Sequence, residues 1–139
     1  MSMFTKNELG YLSEQRLGRL ATVDANGDPH VVPVGFRLDP ETDMIEIGGH
    51  NLAQTHKWRD AGRHPRVAFV IDDVLPPWQP RSIEILADAE LLESGGEKFP
   101  RGFDPQIIRL HAVKIIAWGI DEKRQSRNVK NANQNHVIV

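Results

Sequence analysis

Strand-like runs recur along this chain with connections mostly too short for a crossover helix, and that spacing limits the fold more than any other feature. LGRLATV and HVVPVGFRL flank DANGDP, whose Asn26-Gly27 pair predicts a tight hairpin with both central residues at positive φ. The second run turns back at Asp39-Pro40 into MIEIGG. VAFVI is short and apolar throughout, which reads as a strand buried on both faces. In SIEILADAELL, Ile83, Ile85, Ala87, Ala89 and Leu91 point one way, while Ser82, Glu84, Asp88 and Glu90 point the other. IIRLHAVKIIAWGI is the last long strand.

Two segments read as helices. Residues 6–15 place Leu9 and Leu12 one turn apart, and residues 51–61 follow Asn51 as N-cap, with Gln54 three residues on, before Gly62 and Pro65 stop the helix. DDVLPPWQP carries three prolines around Trp78 and is expected to be irregular, as are residues 93–105 with Gly95-Gly96, Pro100, Gly102 and Pro105. Few βαβ units can be drawn from these elements. The expectation is a mainly β (α+β) fold, a six-stranded antiparallel barrel with two to three short helices. The 139 residues form one domain, with 1–121 as barrel and 122–139 as a polar tail whose default state is disorder.

Composition removes several classes of chemistry. There is no cysteine, so thiol nucleophiles, iron–sulfur clusters and cysteine-based zinc sites are excluded, and a reducing cytoplasm is the expected location. A formal net charge of −2 gives no general attraction to nucleic acid or anionic lipid, and no apolar run suits a membrane span. His50 and His56 are not at i, i+4, and no HExxH, His/Cys cluster or EF-hand loop is present, so no metal site is expected. No GxSxG, GxGxxG or GxxxxGK[ST] motif appears either.

What remains is an anion seat between Gly48 and Lys57. The glycine pair lets backbone come close to a ligand, the helix start offers free amides, and Thr55, His56 and Lys57 add a hydroxyl, a ring N–H and an ammonium. The alternative is a capped surface helix with Lys57 in water. On HVVPVGFRL, Val31, Pro33, Gly35 and Arg37 share one face, and His30, Val32, Val34, Phe36 and Leu38 the other. The proline and glycine expose backbone on which a flat ring could lie; a barrel bend or an edge strand explains them equally. Trp58, Trp78 and Trp118 could stack on a ring or belong to core or interface.

RLGRLATVDANGDPHVVPVGF, IEIGGHNLAQTHKWRDAGRHPRVAFVIDDV, PWQPRSIEILADAELLE and IIAWGID, in that order, closely resemble the pyridoxamine 5′-phosphate oxidase-like split-barrel family, and most of all its actinobacterial branch of F420-dependent enzymes. The resemblance implies a split-barrel homodimer with cofactor sites between subunits. It implies that Val32, Pro33 and Val34 run beside the cofactor ring and that Gly49, His50, Thr55, His56 and Lys57 cradle its phosphate. It also implies that Trp78 and Arg81 approach from the neighbouring chain. The implied cofactor is coenzyme F420, with FMN as the alternative and heme used by some relatives. No basic, arginine-rich site for a substrate phosphate is found, which argues against oxidation of pyridoxamine 5′-phosphate.

The implied activity is transfer of a hydride from the reduced deazaflavin to an electron-poor double bond of a small organic substrate. No side chain is singled out as catalytic; solvent, His50 or Arg81 could direct the proton. The competing functions are an FMN-dependent oxidoreductase on the same fold and a non-catalytic protein that binds F420, FMN or heme.

Overall fold

A computed structural model describes residues 1–129. Its elements are α1 (Lys6–Glu14), β1 (Leu17–Val23), β2 (Pro29–Asp39), β3 (Met44–Gly48), α2 (His56–Arg63), β4 (Arg66–Leu75), β5 (Gln79–Leu92), β6 (Ile107–Trp118) and β7 (Gln125–Asn128). All pairings are antiparallel. The strands run in the order β3-β2-β1-β4-β5-β6, and pairing of β3 with β6 closes them into the expected six-stranded barrel. A seventh strand, β7, then lies against the outer part of β6.

Alternation fills the interior. Val34 and Phe36 of β2, Ile45 and Ile47 of β3, Val67, Phe69 and Ile71 of β4, Ile83, Ile85 and Ala87 of β5, and Ile108, Leu110 and Ile115 of β6 are all buried. The rings of Phe36 and Phe69 meet edge to face at 5.6 Å. Gly18 on β1 is needed at that contact, because a Cβ there would lie 2.2 Å from the Phe69 ring. The closing strand carries a charge as well: Glu46, directly opposite Arg37 of β2 and Arg109 of β6, is 1% exposed and bonded to both guanidinium groups.

Several local expectations are corrected. At the first hairpin only Gly27 has positive φ, 84°. The Asp24 carboxylate accepts the N–H groups of Asn26 and Asp28, which makes a wider loop than the two-residue turn. Asn51 does not cap a helix; it sits in the left-handed region at φ 53°, before a short 3-10 turn over Leu52–Gln54. The helix starts later, with Thr55 as its N-cap, and Gly62 lies inside it rather than ending it. A threonine hydroxyl with extended backbone outcompetes an asparagine whose own backbone has turned left-handed.

VAFVI belongs to a strand twice as long, whose residues alternate in burial instead of being covered on both faces. DDVLPPWQP is mostly regular: Asp72, Asp73, Val74 and Leu75 pair with Ser82, Arg81, Pro80 and Gln79, confining the break to Pro76, Pro77 and Trp78. The polar tail is ordered at its start, where Gln125–Asn128 pairs with β6. Arg127 donates to Glu8, which is 0% exposed on α1, and to the Met3 carbonyl. The remaining tail, residues 130–139, lies outside the described residues. The irregular reading of residues 93–105 holds apart from one 3-10 turn at Gly96–Lys98.

Candidate functional site

The inward face of β2 continues past the barrel. Val34 and Phe36 are interior, but β3 pairs with β2 only from Gly35 onward, so among the described residues, positions 29–34 have β1 on one side and no strand on the other. This is the edge strand that Pro33 allowed, since a proline there forfeits no ladder bond. On the same face as Val34, His30 and Val32 meet α2 across a cleft of about 280 Å³. Thr22, Asp24, His30, Val32, His56, Lys57 and Asp60 line it.

Of the residues singled out from the sequence, Val32, His56 and Lys57 are brought together here. Lys57 is half-buried and makes no ion pair with any described residue; burial pulls its ammonium below the usual lysine range. An ammonium in that state favours an anionic ligand. His56 Nδ1 lies 3.1 Å from Arg59 Nη2. Guanidinium nitrogens only donate, so Nδ1 accepts and the neutral ring carries its proton on Nε2.

The other named residues are placed differently. Thr55 donates to the Leu52 carbonyl at 2.7 Å and accepts the Trp58 N–H at 3.3 Å, so its hydroxyl proton is already committed to the cap. The glycine pair meets protein: a Cβ on Gly48 would lie 2.9 Å from Phe103 and 3.0 Å from Phe99, and the Gly49 carbonyl accepts the Asp104 N–H. His50 packs against Phe103 at 5.2 Å, and Phe103 stacks on Phe99 at the same separation. Gly35 also faces Phe103, at 3.6 Å from its notional Cβ, so only the Pro33 part of that face is bare.

Trp78 and Arg81 stand apart from the cleft within one chain. Trp78 is 76% exposed at the tip of the β4–β5 hairpin, beside exposed Val74 and Leu75. Arg81 holds Asp73 through two bonds of 3.0 and 2.6 Å and lies 4.7 Å over the Tyr11 ring. That pairing holds the Asp73 carboxyl below its usual range, while burial and Asp73 push the Tyr11 phenol up. Tyr11 and Arg81 border a second cavity of about 320 Å³ between α1 and β5, lined also by Lys6, Asn7, Gly10 and Glu14.

Sequence reasoning missed Asp24, His30 and Asp60. His30 Nε2 lies 2.8 Å from Asp24 Oδ2, and the carboxylate raises the imidazole's pKa by that hydrogen bond. The signal was present: His30 sits two residues from Val32 on one strand face, and Asp60 lies one helical turn from Lys57.

Barrel, closing strand and cleft are matched as one unit by the model of the pyridoxamine 5′-phosphate oxidase family, over residues 4–134. The chain belongs to that family. Among relatives on the pyridoxamine 5′-phosphate oxidase pattern, a 5a,11a-dehydrotetracycline/5a,11a-dehydrooxytetracycline reductase of Streptomyces rimosus is 44% identical over 121 residues, 85% of this chain and 84% of that protein. An F420H(2)-dependent biliverdin reductase of Mycobacterium tuberculosis is 46% identical over 39 residues, 28% of each chain. General Stress Protein 26 from Bacillus anthracis superposes with a TM-score of 0.69 at 18% identity, covering 89% of this chain and 97% of that one. At that identity it shows the shared barrel alone.

Proposed function

We propose that this protein is an F420-dependent reductase acting on an electron-poor double bond of a small organic molecule. The observation that carries the reading is its likeness to a reductase along most of both chains. The shorter likeness to an F420H(2)-dependent enzyme favours the deazaflavin over FMN. The residues present fit such a cofactor, because a half-buried ammonium with no ion pair to any described residue faces a cleft that opens onto a strand edge with no described strand beside it.

Lys57 would take the cofactor phosphate, with His56 Nε2–H beside it. Val32 and the Pro33 edge would bear one face of the ring, and their remaining backbone groups would meet heteroatoms at the ring's rim. When bound, reduced F420 supplies a hydride, chemistry that no side chain of this protein can provide. The chain's own contribution is orientation and the exclusion of water from the reacting faces. Arg81, committed to Asp73, positions structure and gives up no proton. A homodimer is part of the proposal: exposed Val74, Leu75, Trp78 and Trp118 would be covered by a second copy, bringing Trp78 toward its neighbour's cleft.

The test is turnover. Purified protein is mixed with reduced F420 and a panel of dehydrotetracyclines, enones, quinones and linear tetrapyrroles, and oxidation of the deazaflavin is followed by absorbance. Substrate-dependent oxidation supports the reading. Tight cofactor binding with no turnover on any member would replace it with a carrier function.

A further inference from the structure

One part of the sheet has only itself for support. β1 pairs with β4 as far as Val70, and β6 pairs with β5 down to Ser82, so among the described residues, positions 73–75 and 79–81 have no strand beside them except each other. They form a two-stranded ribbon that runs out from the barrel to the exposed tip at Trp78. Such a ribbon is marginally stable by itself and twists more than a wide sheet. Contacts at its base must therefore set the direction in which it leaves the barrel.

The base is held from α1. Its rung nearest the barrel sets Asp73 directly opposite Arg81. Tyr11, 3% exposed on α1, gives its hydroxyl proton to Asp73 Oδ1 at 2.9 Å and aims it also at the Arg81 carbonyl at 3.4 Å, while its ring lies under the Arg81 guanidinium. One side chain thus engages both strands of the ribbon at a single rung. Other contacts at the base are narrower. Arg19 with Asp72 and Arg81 with Glu14 are solvent-facing ion pairs of small worth. Gln15 bonds Asp73 alone, and the Gly119 turn meets the Pro80 carbonyl. α1 is itself fixed at its other end, where Thr5 and Asn7 each donate to Asp121 at 2.8 Å and buried Glu8 accepts from Arg127.

We propose that Tyr11 is a positioning residue: by binding Asp73 and Arg81 from outside the sheet, it fixes the angle of the ribbon and therefore where Trp78 meets a second copy of this chain. This deepens the proposed function and rests on its dimer, in which Trp78 lies toward the neighbour's cleft. Tyr11 does not line the cleft of its own chain. Its effect on cofactor affinity is exerted through the ribbon, on the site of the other copy.

Tyr11→Phe tests it, because the hydroxyl is lost while the buried ring stays. Hydrogen–deuterium exchange of the full chain should run about fivefold faster across residues 72–81, the scale of one hydrogen bond, while residues 107–117 of the barrel stay within about twofold. F420 affinity, measured by fluorescence, should fall about fivefold. In a Trp78→Ala background the same substitution should change that affinity by less than about twofold, because the effect of Tyr11 passes through Trp78. Equal acceleration of both segments would make Tyr11 a general stabiliser and overturn the proposal. Unchanged exchange in the ribbon, unchanged F420 affinity beside a loosened ribbon, or an undiminished loss in the Trp78→Ala background would overturn it too. Failure of the unmodified protein to bind F420 would remove the proposed function instead, and the contrast in exchange would then decide by itself whether Tyr11 holds the ribbon.

Discussion

Glu46 offers a sharp test of how the barrel is closed. It lies on β3, the strand that joins β2 to β6, and its carboxylate takes Arg37 Nη1 at 2.8 Å on one side and Arg109 Nη2 at 3.0 Å on the other. The arginines are 24% and 25% exposed, the glutamate 1%. That asymmetry sets the magnitudes. Glu46→Gln keeps the volume, but the amide NH2 must face one of two guanidinium groups, donor against donor. The loss is about 2–3 kcal/mol, held to that range because both arginines can recover water. Removing both cations, in Arg37→Met/Arg109→Met, strands a buried carboxylate and should cost more, about 3–5 kcal/mol. Urea unfolding with a common m-value measures both, and each kcal/mol should lower Tm by roughly 3–4 °C in a chain of this size. A Glu46→Gln effect under about 0.5 kcal/mol would refute the reasoning, as would a double arginine variant more stable than Glu46→Gln.

Three further outcomes are expected. Lys57→Ala should weaken binding of a phosphorylated cofactor by about 1.5–3 kcal/mol, the worth of a hydrogen bond to a charged group, with an unchanged Kd removing Lys57 from the site. Asp24 raises the His30 pKa and is itself lowered by His30. The sign therefore makes the pair's stabilisation fully present below the unfolded histidine value of about 6.5 and lost as pH rises through the folded one, while the Asp24 contribution is lost only in acid, as pH falls through its lowered value. In an NMR titration Asp24→Asn should move the His30 midpoint down, and no movement would break the proposed pairing. Gly119→Ala should destabilise the fold by about 1–3 kcal/mol, since φ is 76° and the new Cβ would lie 2.1 Å from the Pro80 carbonyl oxygen; an unchanged Tm would contradict that geometry.

The barrel was legible because period-two alternation survives in β5 and because short connections forbid parallel strands. Ile83, Ile85 and Ala87 are buried as their spacing required. Where reading failed, tertiary contacts outweighed local preference. Asn51 looked like a cap, but its left-handed backbone passes that role to Thr55. The Gly48-Gly49 pair looked like room for a ligand, yet Phe99 and Phe103, fifty residues on in an irregular segment, fill the space over Gly48. No local pattern could reveal that approach. Prolines misled at β4–β5, since Pro80 is tolerated opposite Val74 and the strands run to Leu75 and Gln79. Lys57 was legible as a cation at a helix start, but the cleft around it was not. Asp60 and His30 come from separate elements, and only the packing of α2 against β1 and the free stretch of β2 brings them to one cavity.

The most direct test of the proposed function is a pair of dissociation constants, for F420 and for FMN, measured by fluorescence on cofactor-free protein under one set of conditions. Tighter binding of F420, weakened by Lys57→Ala, is the expected result. Tighter binding of FMN would contradict the deazaflavin assignment and move the protein to the flavin-dependent class on the same barrel.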